Sequence, residues 1–220
     1  HLVDGGLSDN LGIRAVLEQV STANISDAWH RQPSLHGVRP LLPGSHMCGP
    51  AVTVRTYPGD WAKPVEAIDV CRPGDVLVID NGGRTDCTVW GDIMTQYAGQ
   101  RRIAATVIDG VCRDVSKALD DGYPLFTRGR FMRTGKDRVQ VEGVNVPVSI
   151  GQARVAARDI VVADANGVLV VPRARAREVA ELARGIEAAE SQIRAWIAEG
   201  KTLGEARAAM GYHTLQRKAP

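Results

Sequence analysis

The stretch from Trp90 to Gly122 constrains this chain most. It opens on Trp90-Gly91-Asp92, runs on for twenty residues, and then reads Arg113-Asp114. Gly91 to Gln100 reads as a helix, and the apolar run Ile103 to Ile108 as a buried strand ending in Asp109-Gly110. A loop–helix–strand–loop unit turns the chain back on itself. Two carboxylates and a guanidinium at its ends can therefore share one pocket although about twenty residues separate them. Arg113 to Asp121 begins another helix, closed by Gly122.

The rest of the chain reads as support for that unit. Ser21 to Ala28 looks like a helix start with Ser26 as N-cap, and Leu11 to Val20 like a helix before it. Ala51 to Thr56 alternates like a strand. Trp61 to Cys71 reads as a helix with Trp61, Val65, Ile68 and Val70 near one side. Val76 to Ile79 is a short buried strand feeding a glycine-rich turn, Asp80-Asn81-Gly82-Gly83. Pro124 to Thr127 is a strand, and Val139 to Ile150 suits a hairpin or a bent strand pair. Ile160–Val162 and Val168–Val171 flank an Asn166-Gly167 turn, the mark of a hairpin. Pro172 opens a long helix to about Glu199, with Val179, Leu182, Ile186, Ala189, Ile193 and Ile197 at helical spacing. Thr202 to Met210 is a last short helix. Helices interleave with strands early and strands cluster late. That order predicts one α/β domain with more than one sheet layer.

Composition narrows the function classes. A length of 220 residues can bury a full core without disulfides, and the four cysteines contain no Cys-x-x-Cys pair, so reduced thiols are expected. The net charge of +2 is spread, apart from Arg173, Arg175 and Arg177, which argues against a nucleic-acid partner. No apolar run approaches the ~20 residues needed to span a membrane. No signal peptide is legible, although the chain opens on His1 rather than Met, and a cytoplasmic location is expected. The five histidines lack zinc-site spacing, and no Gly-rich phosphate loop is present. Lys63 and Lys117 could in principle form a Schiff base, yet neither falls in a buried strand pattern. His1 to Arg14 resembles the Asp-Gly-Gly segment of patatin-like lipases. The chain has no Gly-x-Ser-x-Gly nucleophile for Asp4 to serve, so a loop entering a helix is the expectation.

The residues at the ends of the central unit suggest a chemistry. Carboxylates suit hard cations such as Mg²⁺ or Mn²⁺, which take one or two protein carboxylates and keep several waters. Asp114 suits a direct ligand, and Asp92 a group that holds a water and handles a proton. Arg113 presents a planar donor fork for the carboxylate or enolate of a 2-oxo acid. The amides after Gly91-Asp92 open a helix and can bind an anion. The plainer alternative is that Arg113-Asp114 only caps a helix.

Gly91-Asp92 followed after twenty residues by Arg113-Asp114 resembles the signature of the RraA-like family. Pro73 to Ile79, Val107 to Gly110, Val144 to Pro147 and Asp159 to Pro172 resemble the same family. The resemblance implies a three-layer β/β/α swivelling-domain fold over residues 21–200, assembled as a homotrimer or homohexamer. Residues 1–20 then form an N-terminal segment whose origin the sequence does not establish, and 201–220 a C-terminal helix and tail. One branch of that family comprises class II aldolases that cleave 4-hydroxy-4-methyl-2-oxoglutarate or 4-carboxy-4-hydroxy-2-oxoadipate to pyruvate and decarboxylate oxaloacetate. The other comprises regulators that bind RNase E without chemistry. The aldolase reading implies Asp114 as metal ligand, Asp92 acting through water, and Arg113 on the enolate. It places the substrate carboxylate on Gly91 and the amides of Ile93 and Met94. It also implies a glutamate from the C-terminal helix of a neighbouring subunit, with Glu190 the nearest match and Glu187 second. Many family members carry an acid three residues after that Asp. Here the position is Lys117, which would repel a cation.

Overall fold

The computed structural model describes residues 12–57 and 64–212. In chain order its first elements are α1 (residues 12–17), α2 (Thr22–Ala28), β1 (Arg39–Pro40), β2 (Met47–Tyr57), α3 (Pro64–Val70) and β3 (Val76–Thr88). Then come α4 (Asp92–Gln100), β4 (Ala105–Cys112), α5 (Val115–Asp120), β5 (Leu125–Arg130), β6 (Gln140–Val144) and β7 (Val148–Ile150). The last are β8 (Ala153–Val155), β9 (Ile160–Asp164), β10 (Gly167–Val171), α6 (Ala176–Ala198) and α7 (Leu203–Ala209). Contacts divide the chain into a sheet unit, Pro33–Arg173, and a helical unit, His1–Gln32 with Ala174–Pro220.

The sheet unit grows from four parallel strands. β2, β3, β4 and β5 lie side by side, joined in turn by α3, α4 and α5, because parallel neighbours need a crossover back to the same end. The full order is β1-β5-β4-β3-β2-β9-β10, with β1 and β9 antiparallel to their neighbours. β2 is long enough to pair with β9 through its first half and with β6 through its last residues. β7 and β8 form a separate two-stranded sheet.

Strand alternation decides which layer each side chain enters. Leu77, Ile79 and Ile108 pack with Ile68, Ala98 and Ala118 of the three helices. Val76, Val78, Ala105 and Val107 pack with β7, β8, β9 and β10 through Val148, Ile150, Val155, Val161 and Val168. The layers are therefore strands, sheet and helices, as expected. Both faces are covered, which is why Val76 to Ile79 is a continuous apolar run.

Several local expectations are corrected. The N-cap of α2 is Ser21, whose hydroxyl accepts from the Asn24 amide at 3.1 Å, so Ser26 lies inside the helix. Asp80 to Gly83 is not a turn that ends a strand: β3 continues through it while its register against β4 slips. Gly82 and Gly83, at φ 62° and 69°, supply the left-handed backbone that the slip requires. Val139 to Ile150 is not a hairpin, because β6 pairs with β2 and β7 with β8. Residues 61–63 of the expected helix at Trp61, Asp4 of the N-terminal motif, and Lys63 lie outside the described residues. Val70 of that helix is exposed, and so are Leu182 and Ile197 of α6. The β9–β10 hairpin, α4, α5, α6 and α7 match their expected places within a few residues. All four cysteines are buried, and burial pushes the Cys71 thiol up to about 12.

Near the ends of β4 and β5 one buried charge has one partner. Asp109 is 4% exposed, and its carboxylate is paired with the Arg128 guanidinium. Arg128→Met strands that carboxylate in the interior. We expect it to cost about 3 kcal/mol in urea unfolding, and Asp109→Leu added to it to recover much of the loss. An unchanged unfolding midpoint in the single variant would contradict this account.

Candidate active site at the ends of β3 and β4

Parallel neighbours deliver their C-terminal ends to the same edge of a sheet. The last register pair between β3 and β4 is Thr88↔Val111, so the following loops start side by side. The Thr88 hydroxyl lies 2.9 Å from the carbonyls of both Trp90 and Val111 and accepts from the Trp90 amide at 3.1 Å. Trp90 is fully buried, stacks on Tyr123, and donates through Nε1 to the Thr95 hydroxyl at 2.9 Å. The Arg113 amide donates to the Trp90 carbonyl at 3.0 Å. These bonds tie the two loops together before any site residue is reached.

The structure brings Gly91, Asp92, Arg113 and Asp114 together. Asp114 is the N-cap of α5 at φ 54°, ψ 40°, a left-handed conformation that Asp tolerates better than most residues. Its Oδ2 lies 3.2 Å from Arg113 Nε and 3.5 Å from the Asp92 amide. Both side chains remain about two-fifths exposed, at 42% and 41%. Gly91 is the N-cap of α4 and has no side chain to bond the first turn, so the amides of that turn depend on acceptors other than the cap residue. A Cβ at Gly91 would come within 2.7 Å of Asp114 Oδ2 and 3.4 Å of Arg113 Nε. Glycine is thus what lets the two loops close on each other.

Two expectations need refinement. The Ile93 amide donates to the Asp92 carboxylate at 2.8 Å, so a ligand on that amide must displace Asp92. The Met94 amide, in the same first turn, lacks an intrahelical acceptor. Lys117 does not stand as a bare cation: its Nζ pairs with Asp121 at 2.8 Å on the outer face of α5.

Glu187 and Glu190 lie on α6 in the helical unit, and each is already engaged there. Glu187 accepts from Asn24 Nδ2 at 2.6 Å and Ser191 Oγ at 3.0 Å and pairs with Arg194. Glu190 accepts from the Tyr212 hydroxyl at 2.6 Å and lies 3.5 Å from Arg194. Glu190 keeps more spare acceptor capacity than Glu187.

The donor set fits a hard, water-rich cation. Among the described residues no group of three or more His, Cys, Asp and Glu is placed to hold a metal, which disfavours a zinc-type cage. Two exposed carboxylates could hold a hard cation such as Mg²⁺ or Mn²⁺, with water completing its shell. Burial raises the pKa of the Cys112 thiol, next to Arg113, which makes it a weak nucleophile. Sequence reasoning missed one wall of the site. A cleft of about 330 Å³ beside Arg113 and Asp114 is lined by Arg130, Phe131 and Met132. Their signal was available: β5 is the next parallel strand and ends at the same edge.

Comparison with known proteins gives a consistent picture. The sequence pattern of the RraA-like family, described as Aldolase/RraA, matches residues 22–170. Protein DlpA of Legionella pneumophila is 37% identical over 195 residues, which are 85% of this chain and 32% of DlpA, so the chain spans about a third of that relative. A Halalkalibacterium halodurans protein named "Putative 4-hydroxy-4-methyl-2-oxoglutarate aldolase" is 36% identical over 170 residues, 75% of this chain and 79% of its own length. An uncharacterized Pseudomonas syringae protein of known crystal structure superposes with a TM-score of 0.84 at 40% identity, covering 90% of this chain and 97% of that one. Streptomyces coelicolor RraAS2, described as an unusual member of the RNase ES inhibitor RraA protein family, gives 0.74 at 25% identity over 86% and 96% of the two chains. No helix among the described residues is long and apolar enough to cross a membrane.

Proposed function

This chain belongs to the RraA-like family, and on that premise we propose that it is a Mg²⁺- or Mn²⁺-dependent lyase. It cleaves 4-hydroxy-2-oxo diacids, such as 4-hydroxy-4-methyl-2-oxoglutarate or 4-carboxy-4-hydroxy-2-oxoadipate, to pyruvate, with oxaloacetate decarboxylation as a side activity. The observation that carries this reading is the convergence of Asp92, Arg113 and Asp114 on Gly91 at one sheet edge. Relatives named as aldolases of this kind, at about a third identity, support it.

Arg113 binds the 2-oxo-acid end, because a planar guanidinium offers two parallel donors to a carboxylate or to an enolate oxygen. The Met94 amide at the start of α4 adds a donor to the substrate carboxylate, and the Ile93 amide joins once Asp92 turns to its water. Asp92 acts as base through that water and takes the proton from the C4 hydroxyl. The C3–C4 bond then breaks, its electron pair passes to C3 and C2 as the pyruvate enolate, and the carbonyl forms at C4. A proton returned to C3 completes pyruvate. The guanidinium of Arg113 is stronger against the enolate than against the ketone, which is what lowers the barrier. Asp114, with Asp92 through water, would hold the divalent cation, which when bound supplies Lewis-acid stabilisation of the same oxygen. Glu190 of a neighbouring copy in a trimer or hexamer would complete the water shell.

A second reading is a regulator that binds an RNA-degradation enzyme, to which the likeness with RraAS2 points. Such a partner surface does not need Asp92, Arg113 and Asp114 on one point, and the lyase reading accounts for that placement. The pairing of Lys117 with Asp121 also weakens the main objection to a cation nearby. Pyruvate release from 4-hydroxy-4-methyl-2-oxoglutarate, followed with lactate dehydrogenase and NADH, tests the proposal. We expect chelation by EDTA to cut the rate by about 10²-fold or more and Mg²⁺ or Mn²⁺ to restore it. Full activity after chelation would exclude the metal mechanism. No turnover of either diacid with metal added would exclude the lyase.

A further inference from the structure

The cleft beside Arg113 and Asp114 contains a second guanidinium. β4 and β5 are parallel, and their register sets Cys112 against Arg130, so Arg130 emerges next to the residue that precedes Arg113. The Phe131 amide donates to the Cys112 carbonyl at 2.9 Å and fixes that alignment past the end of β5. Arg130 lines the same cleft of about 330 Å³ as Arg113 and Asp114. A space of that size is at the small end of ligand pockets and holds a small organic acid.

The charges there do not balance. Arg113 pairs with Asp114, Arg84 with Asp86, Arg128 with Asp109 and Arg158 with Asp75. Among the described residues no carboxylate pairs with Arg130. The cleft has two guanidiniums against one carboxylate, and a divalent cation held by Asp114 would increase the surplus. Phe131 and Met132 add an apolar part to the same lining; the Arg133 guanidinium lies over the Phe131 ring at 5.7 Å, while Met132 is 75% exposed and open to a ligand. Two guanidiniums and apolar side chains lining one cleft are the complement of a short carbon chain that carries two anions.

We infer that Arg130 anchors the second carboxylate of a 2-oxo diacid and makes the site select dianionic over monoanionic 2-oxo acids. This rests on the proposed role of Arg113 as the anchor of the 2-oxo-acid end. The carbon skeleton lies along Phe131 and Met132, and the ligand's span between carboxylates is set by the separation of the two arginines. Arg130 is a specificity residue and takes no part in the bond cleavage.

Calorimetry on the full chain with Mn²⁺ separates this inference from the lyase reading. The probes are 2-oxoglutarate and 2-oxopentanoate, which have five carbons each and differ in the terminal carboxylate. The native protein is expected to bind 2-oxoglutarate at least about tenfold more tightly, the worth of one hydrogen-bonded charge pair. In Arg130→Gln that ratio should fall close to one, and Arg130→Lys should keep part of it. Equal affinity for the two acids in the native protein, no binding of either, or an unchanged ratio in Arg130→Gln would each overturn the assignment. A ratio that follows Arg130 in a protein that cleaves no 4-hydroxy-2-oxo acid would uphold the diacid subsite and reject the lyase.

Discussion

Asp114→Asn is expected to lower pyruvate release by about 10³-fold or more while the protein remains folded. The substitution keeps the shape of the side chain and removes its charge. It also keeps the local backbone, because Asn, like Asp, tolerates the left-handed region that this N-cap occupies at φ 54°. Asp114→Ala mixes two effects, since alanine at such a position costs roughly 1–2 kcal/mol in conformation alone. The Asn variant therefore isolates the chemical role. Thermal unfolding beside the lactate dehydrogenase assay reads both quantities. An Asn variant within threefold of the native rate would refute Asp114 as the metal ligand.

Gly91→Ala should separate function from stability in a different way. The Gly91 backbone, at φ −145°, suits any residue, so alanine brings no conformational strain. Its methyl group instead meets Asp114 Oδ2 at 2.7 Å and Arg113 Nε at 3.4 Å. Both atoms belong to partly exposed side chains that can swing aside, so unfolding free energy should change by less than about 1 kcal/mol. The rate should nevertheless fall by about 10²-fold, because displacement of catalytic groups by about 1 Å has that effect. A variant with normal rates would show that Arg113 and Asp114 do not act from the positions seen here. A variant that unfolds easily would show that the loops carry more of the fold than their exposure suggests.

The placing of the candidate site residues was legible because its signal is local. Gly91-Asp92 precedes a helix and Arg113-Asp114 follows a buried strand, and each pattern rests on neighbours within a few residues. The β3 passage at Asp80 to Gly83 was misread for the opposite reason. Glycines mark a departure from regular backbone, yet whether that departure ends a strand or shifts its register depends on β4 alongside it. The stretch from Val139 to Ile150 failed likewise, since alternation identifies strands but not the partners they pair with. Ser26 lost the capping role to Ser21 because two hydroxyls five residues apart compete for one helix start. Lys117 looked like an unshielded cation in the sequence; its partner Asp121 is one helical turn away, a spacing that could have been used.

By itself the sequence determined the layered α/β class and the placing of Asp92, Arg113 and Asp114 at the two ends of one loop–helix–strand–loop unit, with the glycine that precedes them. Periodicity and short-range spacing encode those features, and they survive whatever the chain packs against. Only the tertiary structure decided that β4 and β5 end together, that Arg130 therefore opens onto the cleft of Arg113, and that Asp114 approaches Gly91 so closely that a side chain there would displace it. Those are contacts between strands and loops far apart in the chain. Sheet register fixes them, and register is set by long-range pairing that no local pattern contains.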